Sequence, residues 1–248
     1  MDRTQILNQN KASWDTIADD WFGSTALPTW GISIPREDQL HLLGDLKDKR
    51  VLDIGCGSGH SLKYCMEQGV KELWGLDLST RQLENADKVL GQFPHHLINQ
   101  PMEDPTGIPT NYFDVVYSVY AIGWTVDIEG TFRNVASYLK SGGIFAFSWD
   151  HPLMHCVDVV DGQAVFTGCY LVEDLFSFEK SGEPVTLQNR KLSTYVNALA
   201  KAGLMVEQVV EETDLSDLET PKALSRSYYT PEKARRFPPS IIIKARKL

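Results

Sequence analysis

A strand, a glycine-rich turn and a helix follow one another after residue 50, and this order constrains the fold more than any other part of the chain. Val51, Leu52 and Ile54 form an apolar run typical of a buried parallel strand. Residues 55–59 read GCGSG, and each glycine allows a positive φ or a close approach of the backbone to a ligand. Helical spacing follows over residues 60–68. Because such a turn presents free backbone N–H groups at the mouth of a site, it predicts a nucleotide-like cofactor.

The residues around this turn indicate which cofactor is bound. A dinucleotide fingerprint has the form G-x-G-x-x-G, whereas here His60 stands where the last glycine of that form would be. Asp53 precedes the turn at the end of the strand, where a carboxylate would repel a pyrophosphate but suits a cationic ligand. Asp77 ends a second apolar run about twenty residues further on, where its carboxylate can accept both hydroxyls of a ribose. The predicted cofactor therefore has a ribose, an ammonium group and no phosphate.

The glycine turn with Asp53 before it and Asp77 after it, a D-x-G-x-G-x-G pattern followed by a second acid, resembles the class I S-adenosylmethionine-dependent methyltransferases. Residues 111–118 are similar to the fourth strand of that family, and residues 139–147 to its fifth strand with the preceding glycine turn. The likeness is greatest to the small-molecule branch known as methyltransferase type 11. It implies an enzyme whose cofactor is S-adenosyl-L-methionine and whose partner is a small-molecule methyl acceptor.

The resemblance also implies cofactor contacts beyond the turn. The acid after the third strand of the family contacts adenine, and the end of the fourth strand lies near the methionine part of the cofactor. An aromatic residue of the first helix covers the cofactor. The predicted cofactor-binding residues are Asp53, Gly55, Cys56, Gly57, Gly59, Asp77, Leu78, Met102, Glu103, Ser118 and Trp21.

Three of these assignments have plainer alternatives. Glu103 is expected to accept a hydrogen bond from the adenine amino group, and the alternative is an exposed loop acid. Met102 is expected to pack on adenine, and the alternative is that it fills the core. Trp14 and Trp21 are seven residues apart and share one face of a helix. An indole beside the sulfonium gains about 0.5–2 kcal/mol of cation–π attraction, whereas the alternative is an apolar stripe that packs on the domain.

Methyl transfer is a direct displacement that requires alignment and exclusion of water, with a base only where the acceptor atom must lose a proton. His151, directly after the fifth strand, is the candidate catalytic base. A structural histidine that shapes the turn with Pro152 is the alternative. The spacing of His151 and His155 also suggests a metal site, but Pro152 disfavours a helix that presents both rings and no third ligand is evident. No metal is therefore expected.

Alternating helical and strand patterns predict an α/β fold: a Rossmann-like, doubly wound, mostly parallel seven-stranded sheet with an antiparallel edge strand and a lid insertion. We expect one methyltransferase domain over residues 1–248, made of a helical cap (1–45), a cofactor-binding core (46–150), a lid insertion containing a hairpin (151–190), and a C-terminal helix and antiparallel strand pair (191–248). The expected helices span residues 4–22, 37–46, 59–68, 79–90, 129–139 and 192–202, and the expected strands span 50–54, 71–76, 95–99, 113–118, 143–149, 204–212 and 240–246.

Composition narrows the possible partners and location. The 248 residues carry a net charge of −9 and a sequence pI near 5.1, which disfavours nucleic acid as a partner. No apolar run is long enough to span a membrane, and the N-terminus has no apolar signal core. Four cysteines without a C-x-x-C pair favour a reduced, cytoplasmic protein. The expected oligomeric state is a monomer or a homodimer. The rival functions are a nicotinamide-dependent oxidoreductase, a non-catalytic adenosylmethionine-binding module, and a protein or RNA methyltransferase.

Overall fold

The computed structural model describes residues 1–104, 107–214, 216 and 228–248. Its helices are α1 (Arg3–Ile17), α2 (Glu37–Leu40), α3 (His60–Glu67), α4 (Thr80–Leu90), α5 (Ile128–Tyr138), α6 (Leu192–Lys201) and α7 (Pro231–Ala234), with a 3₁₀ turn at Ile122–Trp124. Its strands are β1 (Arg50–Ile54), β2 (Glu72–Asp77), β3 (His95–Asn99), β4 (Phe113–Ser118), β5 (Leu139–Asp150), β6 (Val157–Val160), β7 (Gln163–Phe166), β8 (Leu175–Lys180), β9 (Glu183–Gln188), β10 (Leu204–Val210) and β11 (Ser240–Lys247).

Seven of these strands form one sheet in the order β10-β11-β5-β4-β1-β2-β3. The strands from β5 to β3 are parallel, whereas β11 runs antiparallel to both β5 and β10. The predicted fold class, a mostly parallel seven-stranded sheet with an antiparallel edge, is confirmed. The chain order reverses between β1 and β4, and open α/β sheets bind ligands at the carboxyl ends of the strands beside such a reversal.

Apolar layers cover both faces of the sheet. Phe132 of α5 and Tyr195 of α6 pack with Phe145 on one face and are fully buried. Leu62 of α3 packs with Leu73 of β2 on the other face, in a second buried cluster. Burial on both faces explains why β1 and β4 are apolar along most of their length. Within the described ranges, no helix has the length and apolar character needed to cross a membrane.

The predicted helix over residues 37–46 is wrong. The helix α2 has only four residues, because His41 adopts a left-handed conformation with φ of 50°. The buried carboxylate of Glu37 then accepts hydrogen bonds from the backbone N–H groups of Leu42 and Leu43 (3.1 and 2.8 Å). The helical spacing of the apolar residues in this segment reflects burial of an irregular chain.

Two predicted boundaries also differ from the structure. The sequence pattern extends the first helix to residue 22, but α1 ends at Ile17 and residues 18–23 form turns. The sequence also predicts that the fifth strand starts at residue 143, but β5 begins at Leu139. The other predicted helices and strands agree with the structure to within two residues at each end.

The segment expected to be a lid insertion contains two antiparallel hairpins, β6–β7 and β8–β9. Their turns are Asp161-Gly162 and Ser181-Gly182, and all four residues have positive φ. That geometry matches the twist of a two-residue hairpin, which explains the turn signals in the sequence.

The hairpin β8–β9 is tied to the N-terminal helix by buried hydrogen bonds. The Asn10 side chain donates to the backbone carbonyl of Thr186 (2.7 Å) and accepts from its N–H (2.8 Å). The Ser13 hydroxyl donates to the carbonyl of Pro184 (2.6 Å). Helix α1 and this hairpin therefore form one layer over the core.

Candidate active site

The glycine turn between β1 and α3 is held against the end of β2 by its backbone. The N–H groups of Gly55 and Cys56 donate to the Leu76 carbonyl (2.7 and 3.0 Å). Gly55, Gly57 and Gly59 have φ of 78°, 50° and 76°, a region in which a Cβ is unfavourable.

The three glycines have different surroundings. A Cβ at Gly55 would overlap the side chain of Ala121, and one at Gly59 would lie 2.9 Å from Ala86, so both glycines allow close packing. A Cβ at Gly57 would meet nothing closer than 3.8 Å. The space in front of Gly57 is therefore open, as a ligand that lies on the turn requires.

Asp77 lies at the end of β2 and faces this turn. One carboxylate oxygen accepts from the N–H of Gly57 (2.9 Å), and the other accepts from the N–H of Ser79 (2.8 Å). Burial raises the pKa of Asp77 to about 6. Each carboxylate oxygen can accept more than one hydrogen bond, so both can also take a hydroxyl donor.

Asp53, at the end of β1, is almost completely buried and lines the same cavity. Burial raises the pKa of its carboxyl group well above the usual value, against a hydrogen bond from the Tyr117 hydroxyl that lowers it. Its Oδ1 atom has no hydrogen-bond partner in the part of the chain that the structure describes. An orphaned carboxyl oxygen at a cavity wall fits a ligand that brings its own donor, such as an ammonium group.

Most of the predicted cofactor residues share one cavity, which encloses about 140 Å³ at the carboxyl ends of the central strands. Those that line it are Asp53, Gly55, Cys56, Gly57, Asp77, Leu78, Met102, Glu103 and Trp21. Gly59 and Ser118 do not line it: Gly59 is the N-cap of α3, and the buried Ser118 hydroxyl donates to the carbonyl of Ile54 (2.8 Å).

Glu103 and Met102 line the cavity, near the segment that follows the 3₁₀ turn after β4. Glu103 is buried, and its carboxylate accepts from the N–H of Val126 (3.2 Å). Burial raises the pKa of Glu103. An exposed loop acid, the plainer alternative from the sequence, does not describe this residue.

Gln82 lines the cavity and is missing from the residues selected by sequence reasoning. It is buried in the first turn of α4, and its Oε1 atom lacks a hydrogen-bond partner within the described ranges. The sequence gives little indication of this role, because Gln82 is distinguished only by its position three residues after the helix cap Ser79.

Tryptophans close the cavity on the side of the N-terminal segment. Trp14 packs edge-on against Trp21 and Trp124, with ring centroids 6.3 and 5.4 Å apart. Phe178 of β8 stacks on Trp124 at 6.4 Å. All three indoles line the cavity, so α1, the turn that follows it and the 3₁₀ turn after β4 form this wall, and the β8–β9 hairpin packs on Trp124 through Phe178.

His151 lies outside this lining. It is buried, its Nε2 atom lies 2.9 Å from the Glu211 carboxylate, and its Nδ1 atom accepts from the N–H of Leu153 (3.1 Å). Burial lowers the pKa of the ring, and the hydrogen bond to Glu211 partly opposes this effect. Both ring nitrogens are thus engaged within the protein. Among the described residues, no group of three His, Cys, Asp or Glu side chains could hold a metal ion.

Comparison with known proteins places this site in context. A family model described as a methyltransferase domain matches residues 52–147. The chain is 30% identical over 235 residues to an uncharacterised protein of Haemophilus influenzae, with 87% of each chain covered. It is 28% identical over 150 residues to a sterol 24-C-methyltransferase of Aspergillus fumigatus, a match that covers 59% of this chain and 40% of the relative. The crystal structure of an S-adenosylmethionine-dependent methyltransferase from Mesorhizobium loti superposes with a TM-score of 0.70 and 25% identity, covering 85% of this chain and 96% of that one.

Proposed function

The chain belongs to the class I S-adenosylmethionine-dependent methyltransferases, and we propose that it transfers the methyl group of its cofactor to a small-molecule acceptor by direct displacement. The observation that carries this proposal is a single cavity with the orphaned carboxyl oxygen of Asp53 at one wall and three indoles at another. S-adenosyl-L-methionine supplies an activated methyl group on a good leaving group.

The cofactor contacts follow from the chemistry of the lining. Asp53 takes the ammonium group, Asp77 accepts the ribose hydroxyls, and Gly57 allows the ligand to lie close to the turn. Leu78, Met102 and Glu103 surround the adenine. This assignment satisfies the buried oxygen of Asp53 and leaves the existing hydrogen bonds of Asp77 intact.

Beyond binding the cofactor, the protein aligns the acceptor with the methyl group and excludes water. Trp14, Trp21 and Trp124 close the cavity, so an acceptor reaches the methyl position through a narrow, aromatic space. Such a wall desolvates the reacting atoms and holds them in line, which is the main requirement of a displacement at carbon. His151 plays no part in this arrangement, because both its ring nitrogens bond elsewhere.

Three features support a small acceptor. The cavity encloses about 140 Å³ and is walled by Trp14, Trp21 and Trp124, which suits a small acceptor. The net charge of −9 opposes nucleic acid. The sterol methyltransferase to which the chain is similar is named for a small-molecule acceptor.

We further propose that residues 1–248 act as one domain, in which the cap (1–45) and the insertion (151–190) cover the core (46–150) and residues 191–248 complete the sheet. A cytoplasmic location agrees with the four free cysteines, and the proposed oligomeric state is a monomer or a homodimer. Size-exclusion chromatography with light scattering measures the oligomeric state, and a larger assembly would contradict this proposal.

A methyl-transfer screen tests the proposed function. The protein is incubated with S-adenosyl-L-methionine labelled in the methyl group, and with phenols, amines, carboxylic acids, total RNA and a denatured protein mixture in separate reactions. We expect the label in at least one small molecule. Label in RNA or protein, with none in the small molecules, would refute a small-molecule acceptor.

A further inference from the structure

Gln82 lines the cavity but has no part in the cofactor contacts assigned above. The residue is only 5% exposed, and its Oε1 atom has no hydrogen-bond partner in the part of the chain that the structure describes. The buried amide of Asn85, in the next turn of α4, by contrast donates to the carboxylate of Asp19 (2.8 Å). An unpaired buried amide lowers stability, so its presence at a cavity wall indicates a ligand that gives it a partner.

The first turn of α4 holds Gln82 beside the end of β2. The N–H of Ser79 donates to the Asp77 carboxylate (2.8 Å), and the Ser79 hydroxyl accepts from the N–H of Gln82 (3.1 Å). That hydroxyl in turn donates to the carboxylate of Asp15 in α1 (2.7 Å). The backbone of Gln82 is therefore held relative to Asp77 by one residue that bonds to both.

Gln82, Gly57 and Asp77 meet at one corner of the cavity. The Oε1 atom of Gln82 lies 3.8 Å from the position that a Cβ on Gly57 would take. The N–H of Gly57 donates to the Asp77 carboxylate (2.9 Å). All three residues line the cavity. A ligand group that lies in front of Gly57 is thus close to both the carboxylate and the amide.

The hydrogen-bond donors of S-adenosyl-L-methionine narrow the group that this amide can meet. They are the ammonium group, the adenine amino group and the two ribose hydroxyls. In the function proposed above, Asp53 takes the ammonium group, Glu103 lies beside the adenine, and Asp77 accepts from the ribose. A ribose hydroxyl both donates and accepts a hydrogen bond. It therefore suits the oxygen and the nitrogen of the amide, which exchange places by rotation about the last side-chain bond.

We propose that Gln82 is a cofactor-binding residue that shares the ribose with Asp77: its side-chain amide bonds to a ribose hydroxyl and makes the site specific for a ribonucleoside. The proposal rests on the function proposed above and on its cofactor assignment. Each carboxylate oxygen of Asp77 already accepts a backbone N–H, so a second polar side chain gives the paired hydroxyls a further partner. The bound ribose in turn supplies the partner that Oε1 of Gln82 lacks among the described residues.

Substitution of Gln82 should change stability and cofactor affinity in opposite directions. Gln82→Met replaces the amide by an apolar side chain of similar length and removes an unpaired buried polar group. The ligand-free protein should therefore gain about 2–4 °C in Tm. The same change removes a hydrogen bond to the ligand, so the affinity for S-adenosylhomocysteine should fall about tenfold to a hundredfold. A purely structural glutamine would instead lose stability and leave the affinity unchanged.

The test is titration calorimetry on the wild-type protein, Gln82→Met and the control Gln208→Met, since Gln208 is an exposed glutamine of the edge strand β10. The ligands are S-adenosylhomocysteine, its 2′-deoxy and 3′-deoxy forms, and 5′-methylthioadenosine, which keeps the ribose but lacks the amino-acid part. We expect Gln82→Met to weaken S-adenosylhomocysteine and methylthioadenosine alike. It should weaken at least one deoxy ligand less, because the hydroxyl that the amide contacts is already missing. The control should bind all four ligands as the wild type does.

An unchanged affinity for S-adenosylhomocysteine in Gln82→Met, or an equal loss with all four ligands, would overturn the proposal. A loss that is absent with methylthioadenosine would place the amide at the amino-acid part of the cofactor and would also refute it. Thermal melting establishes that each variant is folded, and Gln82→Leu repeats the comparison with a shorter side chain. None of these measurements requires a methyl acceptor, so a failed acceptor screen leaves the test unaffected. Failure of the wild type to bind S-adenosylhomocysteine would contradict the cofactor assignment and this proposal with it.

Discussion

At the scale of single residues, two buried acids of the site differ in how many hydrogen-bond partners the protein gives them. Asp53 and Asp77 are both buried acids at strand ends, but Asp77 is held by two backbone donors and Asp53 keeps one oxygen without a partner among the described residues. Asp77 therefore has a defined orientation before any ligand binds, whereas that oxygen of Asp53 is left to accept a donor, as the proposed contact with the cofactor ammonium group requires.

Gly57→Val should abolish cofactor binding while the protein stays folded. A β-branched residue is strained at a φ of 50°, and its side chain would enter the open space in front of the turn. Gly44→Val is the matched control, because Gly44 has a φ of 68° and a Cβ added there would meet no atom within 4 Å. Calorimetry with S-adenosylhomocysteine should show a loss of binding only in Gly57→Val. Similar affinities in both variants would make the turn purely structural.

The raised pKa of Asp77 makes a prediction about stability. The folded state holds the proton up to about pH 6, whereas the ordinary value is 3.8, so this carboxyl group lowers stability as the pH rises through that window. Asp77→Asn cannot ionise. Its free energy of unfolding in urea should therefore increase relative to that of the wild type from pH 3.8 to about pH 6, and the difference should be constant above that. A difference independent of pH would contradict the prediction.

His151→Ala tests the alternative roles of this histidine. Since both ring nitrogens are engaged and the ring lies outside the cavity lining, we expect a lower melting temperature with cofactor affinity and kcat nearly unchanged. Turnover is measured on an acceptor from the screen and expressed per folded molecule. A loss of about 10²–10⁴-fold in kcat would instead restore His151 as the general base expected from the sequence.

At the scale of elements, the wall of the cavity is assembled from parts of the chain far apart in sequence. Helix α1 supplies Trp14, the turn after it supplies Trp21, and the 3₁₀ turn after β4 supplies Trp124. The hairpin β8–β9 packs on these rings through Phe178 and Lys180. The buried pair of hydrogen bonds between Asn10 and the hairpin backbone joins these parts.

Residues 10–30 and 151–190 should become more protected from hydrogen exchange when S-adenosylhomocysteine binds, because a ligand gives their apolar side chains a partner. Asn10→Ala should increase exchange in β9 and weaken this response, since Thr186 loses two hydrogen bonds. Asn8→Ala, on the exposed face of the same helix, is the control. Equal exchange with and without ligand would identify both segments as rigid walls.

At the scale of the whole molecule, cofactor binding couples the core to its cover, so ligand should stabilise the entire fold. At a ligand concentration one hundred times Kd, the expected gain is about 2.7 kcal/mol, or roughly 5–10 °C in Tm for a chain of this length. S-adenosylmethionine and S-adenosylhomocysteine should both produce the shift in a thermal melt, and NAD should not. A shift with NAD alone would contradict the assignment of the cofactor.

The sequence by itself determined the parts of this protein that depend on near neighbours along the chain. The sequence predicts the strand, glycine turn and helix after residue 50, together with the acids Asp53 and Asp77. It does so because the spacing of apolar side chains and the need for a positive φ are properties of a few consecutive residues. The alternation of these units then predicted a parallel sheet, since short crossovers have one favoured hand.

Only the tertiary structure decided which distant groups meet. Residues 37–46 have helical spacing, yet the carboxylate of Glu37 binds the backbone beyond His41 and the chain turns there. His151 follows a strand that ends at the site, yet its ring bonds to Glu211. Lys180 lies in a segment without a motif, yet a hairpin places its amine on Trp21. Contacts between segments so far apart depend on how completed elements pack, and no local pattern encodes that packing.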